Sequence, residues 1–421
     1  MENPSTGLAR FLPLSLQGKL AWWLAVLFLL YQFNIQTTYS VINPHVQHTL
    51  ALSLSQVTLA ASAYNWVYAV CQTMSGSFLD KYGTRRTLLL PIALVVAGVF
   101  CYARADSFIE LLAAQVLLAV GASVSFVSAG FIGGVWFGQK KYGLLFGYVQ
   151  ALAGLSSALS ITFIKQAVEQ AGWRSVLLLA GCAGLILYLL FLMLFRDPPP
   201  HYSDFSSGGS GKLLDDLLQI VTRHRDILLL GLWGGIAFGS QLALGVVWVP
   251  KIAAWQGQDT ATGGYAVAAL WLGLGVGALF WDRLGYHRAQ KKGIISLGFA
   301  VMIVSLALML LPLGQGQYWL IVLSFVFGFG NGVHMLAFSC AADKVPSSIL
   351  GSASALINAA FFIIGGVLIS LPSLLVEYTG TGMQTALFSL VLALGLAQCL
   401  VLTVDAATRP PSTPGPTTSA R

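Results

Sequence analysis

About twelve apolar runs divide the chain, near residues 20–43, 57–79, 87–103, 110–136, 143–165, 175–195, 227–250, 263–281, 293–313, 318–340, 350–374 and 382–403. Each is close to the roughly 20 residues needed to cross a bilayer core. Hydrocarbon offers no water to pair with backbone N–H and C=O groups, so runs of this kind cross it as helices. An all-α membrane protein with about 12 transmembrane helices is therefore predicted. Composition agrees, with 57% hydrophobic and 9% charged residues and a mean hydropathy of +0.78, far from a soluble average. The first run is too long for a signal peptide, lacks a small-residue cleavage site and leads straight into further runs, so it reads as a retained first span.

The basic residues set an orientation. With both termini assigned to the cytoplasm, all but four of the 22 lysines and arginines fall on the cytoplasmic side; the exceptions are Arg104, Lys165, Arg174 and Lys251. Positive-inside bias accounts for this asymmetry and for the net charge of +7. The charges are scattered over short loops and form no stripe, so a nucleic-acid partner is not expected. Cys71, Cys101, Cys182, Cys340 and Cys399 lie within or at the ends of apolar runs without paired spacing, so neither disulfides nor a metal cluster is expected, and no cofactor.

Between the second and third runs stands Gly76-Ser77-Phe78-Leu79-Asp80-Lys81-Tyr82-Gly83-Thr84-Arg85-Arg86, one acid and three bases in a short charged loop. About two hundred residues on, Asp282-Arg283-Leu284-Gly285-Tyr286-His287-Arg288 repeats it in weakened form. Gly143 precedes Gln150 by seven residues in the fifth run, and Gly351 precedes Asn358 by seven in the eleventh. Two loops and two amide-bearing helices in the same order argue for six plus six spans related by parallel duplication. The predicted organisation is a six-helix bundle over 1–196, a cytoplasmic linker over 197–225, a second bundle over 226–405 and a disordered tail over 406–421. The linker carries Pro198-Pro199-Pro200, a Ser/Gly stretch and, over Leu213–Val221, an apolar spacing suited to the membrane surface.

At these residues the chain resembles the major facilitator superfamily. Gly76, Asp80, Lys81, Gly83, Arg85 and Arg86 match that family's loop signature between spans 2 and 3; Asp282, Arg283, Gly285 and Arg288 are its degenerate partner between spans 8 and 9. Gly172-Trp173-Arg174, before the sixth run, is similar to a motif of bacterial organic-anion and sugar-phosphate branches. The fourth run has no Arg and the fifth lacks a Gly-Pro motif, departures from the proton-driven drug-exporter pattern. The resemblance implies a bacterial inner-membrane permease, monomeric, rocking its two halves about a midplane site. It also implies a small-molecule substrate, symport with a proton or sodium ion, and the bilayer as its other partner.

Asp80 reads as a gate. A carboxylate near a helix N-terminus gains charge-assisted bonding while the two halves meet on its side of the membrane. Gly83 permits a tight turn and Gly76 a close helix approach; Lys81, Arg85 and Arg86 alternatively only fix topology. Polar side chains inside spans are costly and face the bundle interior. The candidates are Tyr31, Gln32, Asn34, Gln36 and Tyr39 in span 1, Tyr64, Asn65 and Tyr68 in span 2, and Gln150 in span 5; the second half adds Gln241, Asn331, His334 and Asn358. Those preferred for substrate are Gln36, Tyr39, Asn65, Tyr68, Gln150, Gln241, Asn331 and Asn358, although a buried amide serves as often as interhelical glue. No acid falls mid-span, which leaves His334, with its near-neutral unperturbed pKa, as the candidate proton carrier. Lys165, Arg174 and Lys251 are placed to attract an anion at the outer mouth, with surface snorkelling the preferred reading for Lys165 and Lys251.

No nucleophile with a base, nor a metal set, occurs at membrane depth, so catalysis is not expected. A receptor would be expected to carry a soluble signalling extension, and with only short segments beyond the first and last runs that role is not expected. The expected function is secondary active import of a small polar or anionic metabolite by alternating access; the alternative is export of drugs, siderophores or other amphiphiles. Asp80→Asn should cut uptake roughly tenfold or more, the worth of one charge-assisted bond, while membrane levels on an immunoblot stay unchanged.

Overall fold

The computed structural model describes residues 13–137, 142–197, 218, 220, 222–284, 291–311, 317–345 and 347–403. Twelve helical rods are formed by these residues. The first six are α1 Leu14–Thr49, α2 Leu54–Tyr82, α3 Thr84–Arg104, α4 Phe108–Phe137, α5 Tyr142–Ala171 and α6 Trp173–Leu194. After the linker come α7 Arg225–Trp255, α8 Thr260–Leu284 and α9 Lys291–Leu310. α10 is built from Gln317–Asn331, a 3-10 turn Gly332–Met335 and Leu336–Ala342, followed by α11 Ser347–Thr379 and α12 Met383–Thr403. The surface-helix reading of Leu213–Val221 and the tail over 406–421 fall almost wholly outside the described residues.

Among the described residues eleven rods are long and apolar enough to cross a membrane, and α2, 29 residues long, is the exception. Its Ser, Thr, Asn and Gln side chains cost it hydropathy because they face protein, not lipid. The internal pairing is duplicated. In the first half α3 packs on α4 and α6, α1 on α5, and α2 on α4; in the second α9 packs on α10 and α12, α7 on α11, and α8 on α10. Adding six to each helix number turns the first set into the second. Between the halves α2 lies on α11, α5 on α8 and α1 on α7, a seam with the approximate two-fold that a parallel duplication generates.

Helix ends are tied by side chains as orphan N–H groups require. Ser53 and Gln56 form a capping box on α2. At α8, Asp259 accepts from the hydroxyl and amide of Thr262 at 2.6 and 2.8 Å, which holds its carboxyl below the usual range. Gly172, at φ 78°, turns the chain into α6. Trp173 then donates to the Thr49 hydroxyl, and Arg174 pairs with Asp106 at 2.5 Å. The Gly-Trp-Arg motif thus clamps α6 to the end of α1 and to the α3–α4 loop.

The face on which α1 begins and α12 ends is here the terminal face, and the opposite one the distal face. Along α2 and α11 the seam is a ladder on the distal side. Glu377 accepts from the Ser55 amide at 2.7 Å, Thr58 meets Ser373 at 2.6 Å, Ser62 meets Ser370 at 2.7 Å, and the Trp66 indole donates to the Ile363 carbonyl at 3.1 Å. On α1 and α7, Asn43 donates to the Val246 carbonyl at 3.1 Å and Lys251 to Gln47 at 3.0 Å. Toward the terminal face the last bond across the seam among the described residues is Asn358 to Gln72. Among the described residues the bonds that fasten the halves are therefore distal ones.

At the α5–α8 crossing Gly154 lies against Gly275, and a Cβ on Gly154 would stand 2.9 Å from the Trp271 carbonyl and 3.2 Å from the Gly275 Cα. Backbones come this close only where side chains are absent. Gly154→Leu should push the halves apart, disfavouring this state by about 1–3 kcal/mol, and raise thiol labelling of a Ser62→Cys reporter from the distal side.

Candidate functional site

Midway along the seam a cavity of about 40 Å³ opens between the halves, with room for about three water molecules. The first half supplies carboxamides and a phenol: Gln32 and Gln36 from α1, Tyr68 from α2 and Gln150 from α5. From the second half come rings, an imidazole and one amide: Phe238 from α7, His334 and Phe338 from α10, Phe361 and Asn358 from α11.

Helical spacing explains the grouping. Gln32 and Gln36 are one turn apart on α1, and on α2 the run Tyr64, Tyr68 and Gln72 stacks one face at i, i+4. Tyr64 donates to Gln32 at 3.1 Å, Gln72 to the Tyr68 hydroxyl at 3.1 Å, and Gln36 to the Asn65 side-chain oxygen at 3.3 Å. Asn358 reaches Gln72 from the other half. Gln150 has no hydrogen-bond partner among the described residues, so its amide is available to a ligand. His334 Nδ1 contacts the Asn331 carbonyl at 2.8 Å, and its ring stacks on Phe238 with centroids 4.8 Å apart. The 3-10 turn Gly332–Met335 carries His334 into the cavity wall.

Of the preferred sequence candidates, Gln36, Tyr68, Gln150 and Asn358 line this cavity together with His334. Gln150 and Asn358, paired by the repeat, line it from different halves. Asn65 sits one layer back, holding Gln36 while donating to the Ala61 carbonyl at 2.8 Å. The other three do not line it. Tyr39 bonds the Val57 carbonyl at 3.0 Å, Gln241 the Leu270 carbonyl at 3.1 Å, and Asn331 the Ala237 carbonyl at 2.6 Å; each fastens one helix to a neighbour in its own half. Gln72 and the phenylalanines were not singled out from the sequence. Gln72 could have been found by its i+4 spacing from Tyr68, whereas nothing distinguishes a cavity Phe from a lipid-facing one.

The loop residues fare differently. Gly76, Asp80 and Lys81 lie in the last two turns of α2, with the Asp80 and Lys81 side chains outside the described residues, as are Gly285 and Arg288 entirely. Asp282 and Arg283 are exposed at the end of α8, and Arg86 is exposed in α3. Gly83, at φ 76°, starts α3. The carboxylate that caps α3 is Asp197, accepting from the Thr84 hydroxyl at 2.5 Å and the Arg85 amide at 2.7 Å. Arg85 donates to the Leu192 carbonyl at 2.9 Å, so this base ties α3 to α6 within one half. Lys165 and Lys251 are not snorkelling. Lys165 lies over Gly264 and pairs with Glu169 at 3.0 Å, and Lys251 reaches across the seam.

Chemically the cavity offers amide and phenol donors, aromatic faces and one imidazole, with no carboxylate and no fixed cation among its described lining residues. It suits reversible binding.

A profile of the Major Facilitator Superfamily matches residues 24–370. The chain is 27% identical over 192 residues to the probable sulfoacetate transporter SauU of Cupriavidus necator, a match spanning 44% of this chain but only 42% of that protein. It is 21% identical over 375 residues to the probable galactarate/D-glucarate transporter GudP of Escherichia coli, covering 80% of this chain and 82% of that one. The crystal structure of the nucleoside transporter NupG shares the fold, with a TM-score of 0.71 at 13% identity over 93% of this chain and 99% of that one. By its profile match, its helices and its duplicated pairing, the chain belongs to the major facilitator superfamily and is an integral membrane protein.

Proposed function

We propose that the protein moves a small organic anion across the bacterial inner membrane by alternating access, with both termini in the cytoplasm. Bundles 1–196 and 226–405 would rock about the cavity, with 197–225 as the tether. The observation that carries this reading is the bonded distal seam. Among the described residues, hydrogen bonds between the halves close the distal side of a cavity that both halves line, as one end state of a rocking cycle would. Positive-inside bias makes the terminal face cytoplasmic, so this state is sealed toward the outside. The anionic class rests on the relatives named for sulfoacetate and for galactarate and glucarate, and on the amide donors of Gln36 and Gln150, which suit carboxylate or sulfonate oxygens.

The cavity is smaller than a sugar acid, so loading requires the halves to separate at one face. Gln36, Tyr68, Gln150 and Asn358 are the proposed ligand contacts. His334 is the proposed proton carrier, since among the described lining residues only it has an unperturbed pKa between 5 and 8. Sodium coupling has no carboxylate cluster to support it among the described residues.

Proteoliposomes carrying the purified protein should take up sulfonated or polyhydroxy organic acids saturably and ignore lipophilic cations; the reverse preference would sink the anion reading. Gln150→Ala and Asn358→Ala should each raise KM about tenfold, the worth of one net hydrogen bond. An inward acid gradient should stimulate wild-type uptake, because protons then run down their gradient with substrate. His334→Gln should abolish that stimulation, and a retained pH response would remove His334 from the cycle.

A further inference from the structure

We propose that Lys251 is an anion-recognition site at the distal mouth of the pathway, exchanging Gln47 for a carboxylate or sulfonate oxygen when the seam opens. This inference rests on the organic-anion reading above and adds to it a place where the charge is read.

Lys251 stands on α7 just beyond a π-helical turn, Leu244–Trp248, a widened turn of the kind that often marks functional positions. Its ammonium group donates to Gln47 of α1, in the other half, at 3.0 Å. One turn deeper the same two helices are joined by Asn43 and the Val246 carbonyl of that π turn, and the Asn43 side-chain oxygen is buried without a partner. Of the four distal cations, Arg104 is exposed at the end of α3. Lys165 and Arg174 are each paired with a carboxylate, Glu169 and Asp106. Lys251 differs: half-buried at a seam between moving parts, it has a neutral amide as its one partner among the described residues.

A cation drawn out of water and matched only by an amide is destabilising relative to one matched by an anion. Charge-assisted bonds are roughly twice as strong as neutral ones, so a ligand carboxylate outcompetes the Gln47 oxygen wherever it can reach Lys251. In the present state the bond to Gln47 across the α1–α7 contact occupies the ammonium group. Opening the distal side must break both α1–α7 bonds, and that same movement uncovers Lys251. Deeper in, the described cavity walls hold no fixed cation, so Lys251 is placed to hold an anion before it passes on to the amides. Closing returns Lys251 to Gln47 and releases the ligand inward, to the amides.

Right-side-out and inverted membrane vesicles, with a sulfonated or polyhydroxy organic acid as probe, separate the two faces. Lys251→Gln keeps a hydrogen bond to Gln47 and removes the charge; Lys251→Arg keeps the charge. The expected result for Lys251→Gln is a KM about tenfold higher for entry from the distal side, a flatter loss of entry rate with added salt, and an unchanged KM from the terminal side. Lys251→Arg should stay near wild type in all three. Equal distal KM and salt dependence in wild type and Lys251→Gln overturn the site, as does an equal loss in both variants, which would mark a packing role. A wild-type protein that carries no organic anion overturns the transport reading and this inference together, whereas wild-type transport with an indifferent Lys251→Gln overturns only this site.

Discussion

Hydrocarbon supplies no partner for a polar group, and the arrangement of this protein follows from that constraint. A hydroxyl, amide or indole inside a span is costly unless another part of the chain answers it, which drives polar side chains onto faces that meet other helices. On α2 this puts Ser62, Asn65, Tyr68 and Gln72 inward; on α1 it does the same for Gln32, Gln36 and Asn43. Seam and cavity are therefore made of one chemistry. What separates glue from binding surface is whether a side chain's capacity is used up, as in Asn65, or left over, as in Gln150.

That chemistry also sets how firmly the halves are held. Hydrogen bonds between transmembrane helices contribute about 0.6 kcal/mol each on average. The five rungs from Ser55 to Gln72 then hold about 3 kcal/mol, which is roughly a hundredfold bias toward the distally sealed state. A seam of salt bridges buried in lipid would be harder to reopen. Hydroxyls and close glycine crossings give a contact that forms with good geometry and yields to a ligand's differential binding.

Much of the architecture was legible in the sequence because span length and duplication leave coarse signals. The apolar runs mark the rods, and the repeated Gly-to-amide spacing picks out Gln150 and Asn358, both of which line the cavity. The site was less legible because an amide looks the same whether it faces a ligand or a carbonyl. Gln241 and Asn331 are amides like Gln36 and Asn358, yet their partners lie elsewhere in the sequence, at Leu270 and Ala237, as the Tyr39 phenol's does at Val57. Asp197 escaped notice for the opposite reason: it stands at the edge of a linker, and only the return of α6 to the start of α3 gives it amides to cap. Lys251 read as a surface lysine because sequence depth does not say which way a side chain turns.

The low hydropathy of α2 has a consequence for how the protein is made. Its rungs are answered by residues of α11 that lie about three hundred positions later, 308 for Ser62 and Ser370. At ordinary rates of synthesis that separation corresponds to roughly 15–60 s. For that interval α2 must remain in or beside the membrane with its polar face unanswered by the helix that completes it, sheltered by α1, α3 and α4 or by the insertion machinery. The same residues that let the finished protein open and shut make its second helix dependent on a partner not yet synthesised, so biogenesis and gating draw on a single polar stripe.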